Sequence, residues 1–143
     1  MSGLDDFDVS VTDIDVNDGQ LRENVRAMLH EIESLLEDLL ATGQTSAIDI
    51  RSLPLMPGDY DALESALGTG EISAEFEGGS GPTVIAETGI PGVWWVTHYN
   101  DEGEIAAEFI EITRIPEILL SQDDDIQDGL KGLSERLRSE RSH

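Results

Sequence analysis

Apolar residues recur at Leu21, Val25, Met28, Leu29, Ile32, Leu35, Leu36, Leu39 and Leu40. That spacing keeps one face of a 3.6-residue helix apolar. Asn17, with Gln20 three residues on, reads as its capping box, and Gly43 as its stop. The other face carries Glu23, Glu31, Glu33, Glu37 and Asp38. His30 lies among them with no His or Cys nearby, so it reads as a surface histidine and not as a metal ligand. Ala47 to Arg51 then reads as a short strand with Ile48 and Ile50 on one side. Pro54 and Pro57 end it, because proline can continue neither a central ladder nor a helix interior. Asp59 is placed to cap a short helix through Leu67, stopped at Gly68.

Four strand-like runs follow, at 71–77, 83–88, 93–100 and 104–113. Their connections, GGSGP, GIPG and NDEG, are short and made of turn formers, which predicts an antiparallel meander. Ile72, Ala74 and Phe76 share one face, as do Ile105, Ala107 and Phe109. In the last run the apolar parity then moves to Ile110 and Ile112, the mark of a bulge or of two buried faces. A final amphipathic helix is expected over 123–138, with Ile126, Leu130, Leu133 and Leu137 as its stripe. Three aspartates at its start and arginines at its end suit the helix dipole, whereas Gly129 and Gly132 each cost about 1 kcal/mol relative to alanine.

The order helix, strand, helix, meander, helix predicts an α+β fold. It has two layers, a mostly antiparallel sheet (the four-strand meander plus one short strand) packed against helices. Residues 1–18 hold six aspartates and no basic residue, and read as a mobile acidic tail. Residues 19–143 read as a single α+β domain.

Composition narrows the function classes. With no cysteine in 143 residues, disulfides, thiolate nucleophiles and cysteine metal sites are excluded. The formal net charge is -23, and four of the eight basic residues (Lys131, Arg136, Arg138, Arg141) lie near the C-terminal end. Such a surface repels nucleic acid and anionic membranes, and would attract a basic segment. The opening residues lack a secretory pattern, and no segment approaches the roughly 20 apolar residues of a bilayer span. A cytoplasmic location is expected.

Chemistry is sparse. There is no HExxH, no other metal-ligand spacing and no GxSxG elbow, and GGSGP lacks the lysine of a P-loop. No catalytic residue, cofactor or metal site is assigned. Glu87 on one strand and His98 on the next could meet as an acid–base pair, although an ordinary cross-strand pair explains them as well. The run Asp123 to Asp125 caps a helix more readily than it binds a cation. Trp94 and Trp95 are adjacent on a strand, so they point to opposite faces. One belongs to the core. The other either meets a covering segment or anchors an exposed interaction patch.

Four stretches carry a resemblance: LPLMP at 53–57, LGTGEISA at 67–74, ETGIPGVWWV at 87–96 and FIEITRIPEIL at 109–119. Together, in this order and spacing, they resemble the C-terminal domain of the hydrogenase expression/formation proteins, over roughly residues 20 to 138. The resemblance implies an α+β accessory protein, a chaperone without catalysis, in maturation of a [NiFe]-hydrogenase. It implies as partner the hydrogenase small-subunit precursor, which carries a basic twin-arginine leader, or another hydrogenase accessory protein. Longer members hold more than one such unit, so a homodimer is an alternative for a single one. Glu87, Ile90, Pro91, Trp94 and Trp95 are the expected partner-binding residues, with Glu87 facing a basic donor and the other four as apolar anchors. The remaining alternatives are a small-molecule-binding or regulatory α+β domain, and an enzyme using Glu87 and His98.

Overall fold

The structure, a computed structural model, describes residues 16–141. The first helix, α1, spans Val16–Thr42. Asn17 therefore lies within the helix and not at its cap, while the rest of the expected acidic tail, 1–15, lies outside the described residues. Gly43, at a φ of 79°, ends the helix by donating its N–H to the Leu39 carbonyl at 2.9 Å. Strand β1, Ser46–Asp49, is shorter than its apolar pattern suggested, because Ile50–Ser52 turn into a 3-10 helix. Ile48 and Ile50 are nonetheless both buried in the same cluster.

Helix α2 spans Asp59–Leu67. Gly58 occupies its cap position, and Asp59 is instead the first helical residue and fully buried. The Asp59 Oδ2 accepts the Met56 backbone N–H at 2.8 Å and the Asn24 amide at 2.7 Å. One carboxylate thus ties the proline-broken loop to α1. The meander is β2 Ser73–Gly78, β3 Gly81–Glu87, β4 Val93–Tyr99 and β5 Ile105–Ile112. The five strands form one antiparallel sheet in the order β1-β5-β4-β3-β2.

The expected α+β architecture is present, with α1 and α2 on one face of the sheet. Val25, Met28, Ile32 and Leu39 of α1 and Leu63 and Leu67 of α2 pack on Val93, Trp95, Ile110 and Ile112. On the far face Ile85, Trp94 and Val96 form a second, smaller buried cluster, against which Leu119 packs. Both alternatives for the parity shift in β5 apply. Pairing slips between His98, opposite Ala107, and Tyr99, opposite Ile105, which leaves Ala106 as an extra residue. The guanidinium of Arg51 donates to the Ile105 and Ala106 carbonyls freed there, at 2.8 and 3.0 Å. Ile105 consequently shares a face with Tyr99, away from Ala107 and Phe109, contrary to the sequence expectation.

After a 3-10 turn, Glu117–Leu119, helix α3 runs over Asp123–Arg141. It forms as expected but does not join the helical layer. None of its residues is buried, and Ile126, Leu130, Leu133 and Leu137 are between 47 and 61 % exposed.

Candidate functional site

The stretch ETGIPGVWW folds as a clamped hairpin turn. Val93 donates its N–H to the Ile90 carbonyl at 3.0 Å, closing a four-residue turn. Pro91 sets the first central φ, and Gly92, at a φ of 94°, supplies the positive one that a type II turn needs. A Cβ at Gly92 would meet Leu36 of α1 at 3.1 Å. Thr88 closes the base of the turn through its hydroxyl, which donates to the Val93 carbonyl at 2.9 Å and accepts from the Ile90 N–H at 3.1 Å. Gly89 donates to the Leu67 carbonyl at the end of α2 at 2.9 Å. Gly70 of the GEIS segment lies so close that a Cβ there would sit 2.5 Å from the Thr88 carbonyl. The two most distinctive segments of the sequence are thus neighbours, and their small residues allow the contact.

The tryptophans divide as strand geometry requires, but neither is exposed: Trp94 is 3 % and Trp95 9 % accessible. Trp94 lies on the far face, opposite Glu87 on one side and Glu111 on the other, and donates its indole N–H to the Thr113 carbonyl at 3.1 Å. Trp95 lies under α2, edge-on to Tyr60 with ring centroids 5.6 Å apart. An exposed tryptophan anchor is therefore absent.

Trp95 also belongs to a buried polar cluster that the sequence did not disclose. Glu108 is 4 % accessible and accepts three neutral donors. The Trp95 indole N–H reaches Oε2 at 2.7 Å, the Thr97 hydroxyl reaches the same oxygen at 2.9 Å, and the Tyr60 hydroxyl spans both oxygens at 2.9 and 2.8 Å. Burial, the hydrogen bond to Glu108 and the charge of that carboxylate together push the Tyr60 phenol far above its ordinary pKa, so it remains a donor. The available signal was parity: Glu108 lies two and four residues before Ile110 and Ile112, on the core-facing side. A lone carboxylate there needs buried donors.

This cluster forms the floor of a cleft of about 270 Å³ between α2 and the sheet, whose lining includes Glu64, Glu87, Tyr99 and Ile105. Glu64, Glu87 and Glu108 border it and no Lys, Arg or His does, although Glu87, opposite Trp94, directs its side chain to the far face. A second cleft of about 410 Å³, bordered by Arg51, Leu53 and Leu55, shares Tyr60, Ile105 and Glu108 with the first. Of the expected partner-binding residues, Trp95 lines the first cleft, and Glu87 borders it with its side chain directed, like that of Trp94 opposite it, to the far face. Half-buried Ile90 and exposed Pro91 form the adjacent turn, and Trp94 lies behind the sheet.

The proposed acid–base pair does not assemble. His98 is opposite Thr83 and Glu87 opposite Trp94, so the two lie four residues apart along the sheet, roughly 13 Å. His98 Nδ1 hydrogen-bonds the Thr83 hydroxyl at 2.9 Å, and its ring meets Phe109 edge-on. His30 is exposed beside Glu33, at 3.6 Å. Among the described residues no group of three or more His, Asp or Glu side chains is arranged to hold a metal ion, and no helix is long and apolar enough to cross a membrane.

Fold and cleft together define an α+β domain with an open antiparallel sheet, two helices on one face and an acidic cleft between α2 and the sheet. Residues 23–139 match the family described as HupH hydrogenase expression protein, C-terminal conserved region, and the chain belongs to that family. The hydrogenase expression/formation protein HoxQ of Azotobacter vinelandii is 33 % identical over 62 % of this chain and 31 % of its own length. HupH of Rhodobacter capsulatus is 30 % identical over 68 % of this chain and 35 % of its own. The chain thus spans about a third of the length of the curated relatives it matches. The solved structure of the hydrogenase expression protein HupH from Thiobacillus denitrificans superposes with a TM-score of 0.76 at 38 % identity, covering 81 % of this chain and 96 % of that one.

Proposed function

We propose that this chain is a non-catalytic accessory protein of [NiFe]-hydrogenase maturation that holds the small-subunit precursor by its basic leader, in the cytoplasm, before export. Family membership supports the hydrogenase context. The observation that carries the finer reading is the cleft over Glu108: Glu64 and Glu108 give it acidic walls, and no Lys, Arg or His is among its lining residues. A guanidinium or ammonium entering there gains charge-assisted hydrogen bonds in a partly desolvated groove. Glu64 is the carboxylate free to meet it, because Glu108 is already occupied by its three donors and Glu87, opposite Trp94, directs its side chain to the far face. Ile90 and Pro91 offer the apolar contact beside the groove. Trp94 and Trp95 contribute from beneath, by fixing the strand that carries the turn. The mechanism is reversible binding, without bond chemistry.

The test is titration of the purified chain with precursor, with and without its leader, across ionic strength. Affinity should fall with salt and with removal of the leader, and Glu64→Gln should weaken binding several-fold, up to about tenfold, while leaving the fold intact. Equal, salt-independent affinity for both precursor forms sinks the reading.

A further inference from the structure

We propose that α3 is a dimerisation helix, and that its apolar stripe pairs antiparallel with the same stripe of a second copy of this chain. The stripe has steps of four, three and four residues, Ile126, Leu130, Leu133, Leu137, which is a strict heptad seam without the extra apolar positions of a core-facing helix. All four side chains are exposed, and the helix buries nothing against its own body. A seam of this kind leaves apolar surface in water until another helix covers it.

Charge selects the occupant and its direction. The helix begins with Asp123, Asp124 and Asp125 and ends with Arg138 and Arg141 in its last turn. With Leu130 opposite Leu133 of the second copy, and Ile126 opposite Leu137, the seams close in register. At about 100° per residue, Asp123 and Arg141 lie on the same flank of the stripe, and Asp125 and Arg136 on the other. Antiparallel pairing therefore sets Asp123 beside Arg141 of the second copy, and Asp125 beside Arg136 of the second copy. Parallel pairing would bring opposite flanks together, setting Asp123 beside Asp125 of the second copy and Arg136 beside Arg141 of the second copy, which is repulsive. The helix dipoles also oppose favourably when antiparallel. The flanks next to the central leucines are small, Gly129 on one side and Ser134 on the other, and nothing lies within 4 Å of a Cβ built at Gly129. The backbones can approach closely there. The rest of the chain is strongly acidic, so this helix, with half of the eight basic residues on it, is where two copies offer each other opposite charge.

Sedimentation of the full chain should give twice its 15.6 kDa mass. Leu130→Glu/Leu133→Glu should give the monomer with unchanged near-ultraviolet signals from Trp94 and Trp95, which lie in the body. Arg141→Glu should weaken the dimer, and adding Asp123→Arg should restore it. Because the chain has no cysteine, single thiols report direction cleanly. Ile126→Cys mixed with Leu137→Cys should cross-link on oxidation, and neither variant alone should. A wild-type chain that stays monomeric at all concentrations overturns the proposal. So does a dimer that survives Leu130→Glu/Leu133→Glu, or an Ile126→Cys chain that cross-links with itself.

Discussion

Helices α1 and α3 are amphipathic by the same rule, yet α1 delivers Val25, Met28, Ile32 and Leu39 to the core, whereas α3 buries nothing. The difference lies in the width of the stripe. From Val25 to Leu39 the apolar positions of α1 cover an arc of about 120°, and those of α3 only about 60°, at 100° per residue. A sheet face is broad and accepts the wide arc, whereas a narrow seam matches another helix. Periodicity therefore marks a helix as adhesive, and the breadth of its stripe tells what kind of surface it adheres to.

The largest expected effect lies in the docked helix. Ile32 is among the most deeply buried side chains, so Ile32→Ala should cost about 2–5 kcal/mol, read as a lower denaturant midpoint for the whole body. If the loss were under about 1 kcal/mol, α1 would be a loose cover and the contrast with α3 would fail. Tyr60→Phe tests the polar part of the same layer. It removes a hydrogen bond to a buried carboxylate and should cost about 1.5–3 kcal/mol. Trp95 and Thr97 still hold Glu108, so cooperative unfolding should persist.

The strands and turns of the meander were legible because each short loop carries its own chemistry, as Pro91 and Gly92 do in the type II turn. The opposed tryptophans were legible from strand alternation, but their shared burial was not. What covers a sheet face depends on where the chain goes after the last strand, and Leu119 returns over Ile85, Trp94 and Val96. The bulge at Ala106 was legible only as a change of parity, and its position depended on Arg51, about fifty residues earlier, capping the freed carbonyls. Glu108 was overlooked because a carboxylate on a strand reads as solvated unless its three donors, all of them on other elements, are known. The composition of the acidic cleft was likewise hidden, since α2 contributes Glu64 and the sheet Glu108.

In the undocked helix the effects are smaller and local. Gly132 has nothing within 4 Å of an added Cβ and lies away from the apolar stripe. Gly132→Ala should stabilise α3 by about 1 kcal/mol. The gain should appear as slower amide exchange within α3, with the unfolding midpoint of the body unmoved. A rise in that midpoint would mean that α3 and the body unfold together. Leu133→Ala should change the stability of the dilute, monomeric chain by no more than about 0.5 kcal/mol. The corresponding truncation in α1 is the Ile32→Ala loss above, so the ratio of the two measures how completely the helices differ.

The smallest effect separates the far face of the sheet from the helix that follows it. Burial, against a partly offsetting attraction to His98 and with added repulsion from Glu117, raises the Glu111 carboxyl above its ordinary pKa. A carboxyl raised by folding binds its proton more tightly in the native state, so stability falls as pH climbs from the ordinary carboxylate range through the native value. Glu111→Gln removes that decline. The variant should match the wild-type chain below the ordinary range and exceed it slightly at neutral pH, because a half-buried group is partly screened by solvent. Thermal unfolding at the two pH values reads the difference, and a variant less stable at neutral pH would show the carboxylate to be held by favourable contacts. Glu117 belongs to the 3-10 turn that leads towards α3. Glu117→Gln should therefore recover part of the same gain if that turn stays seated on the far face, and none of it if the turn leaves with the undocked helix.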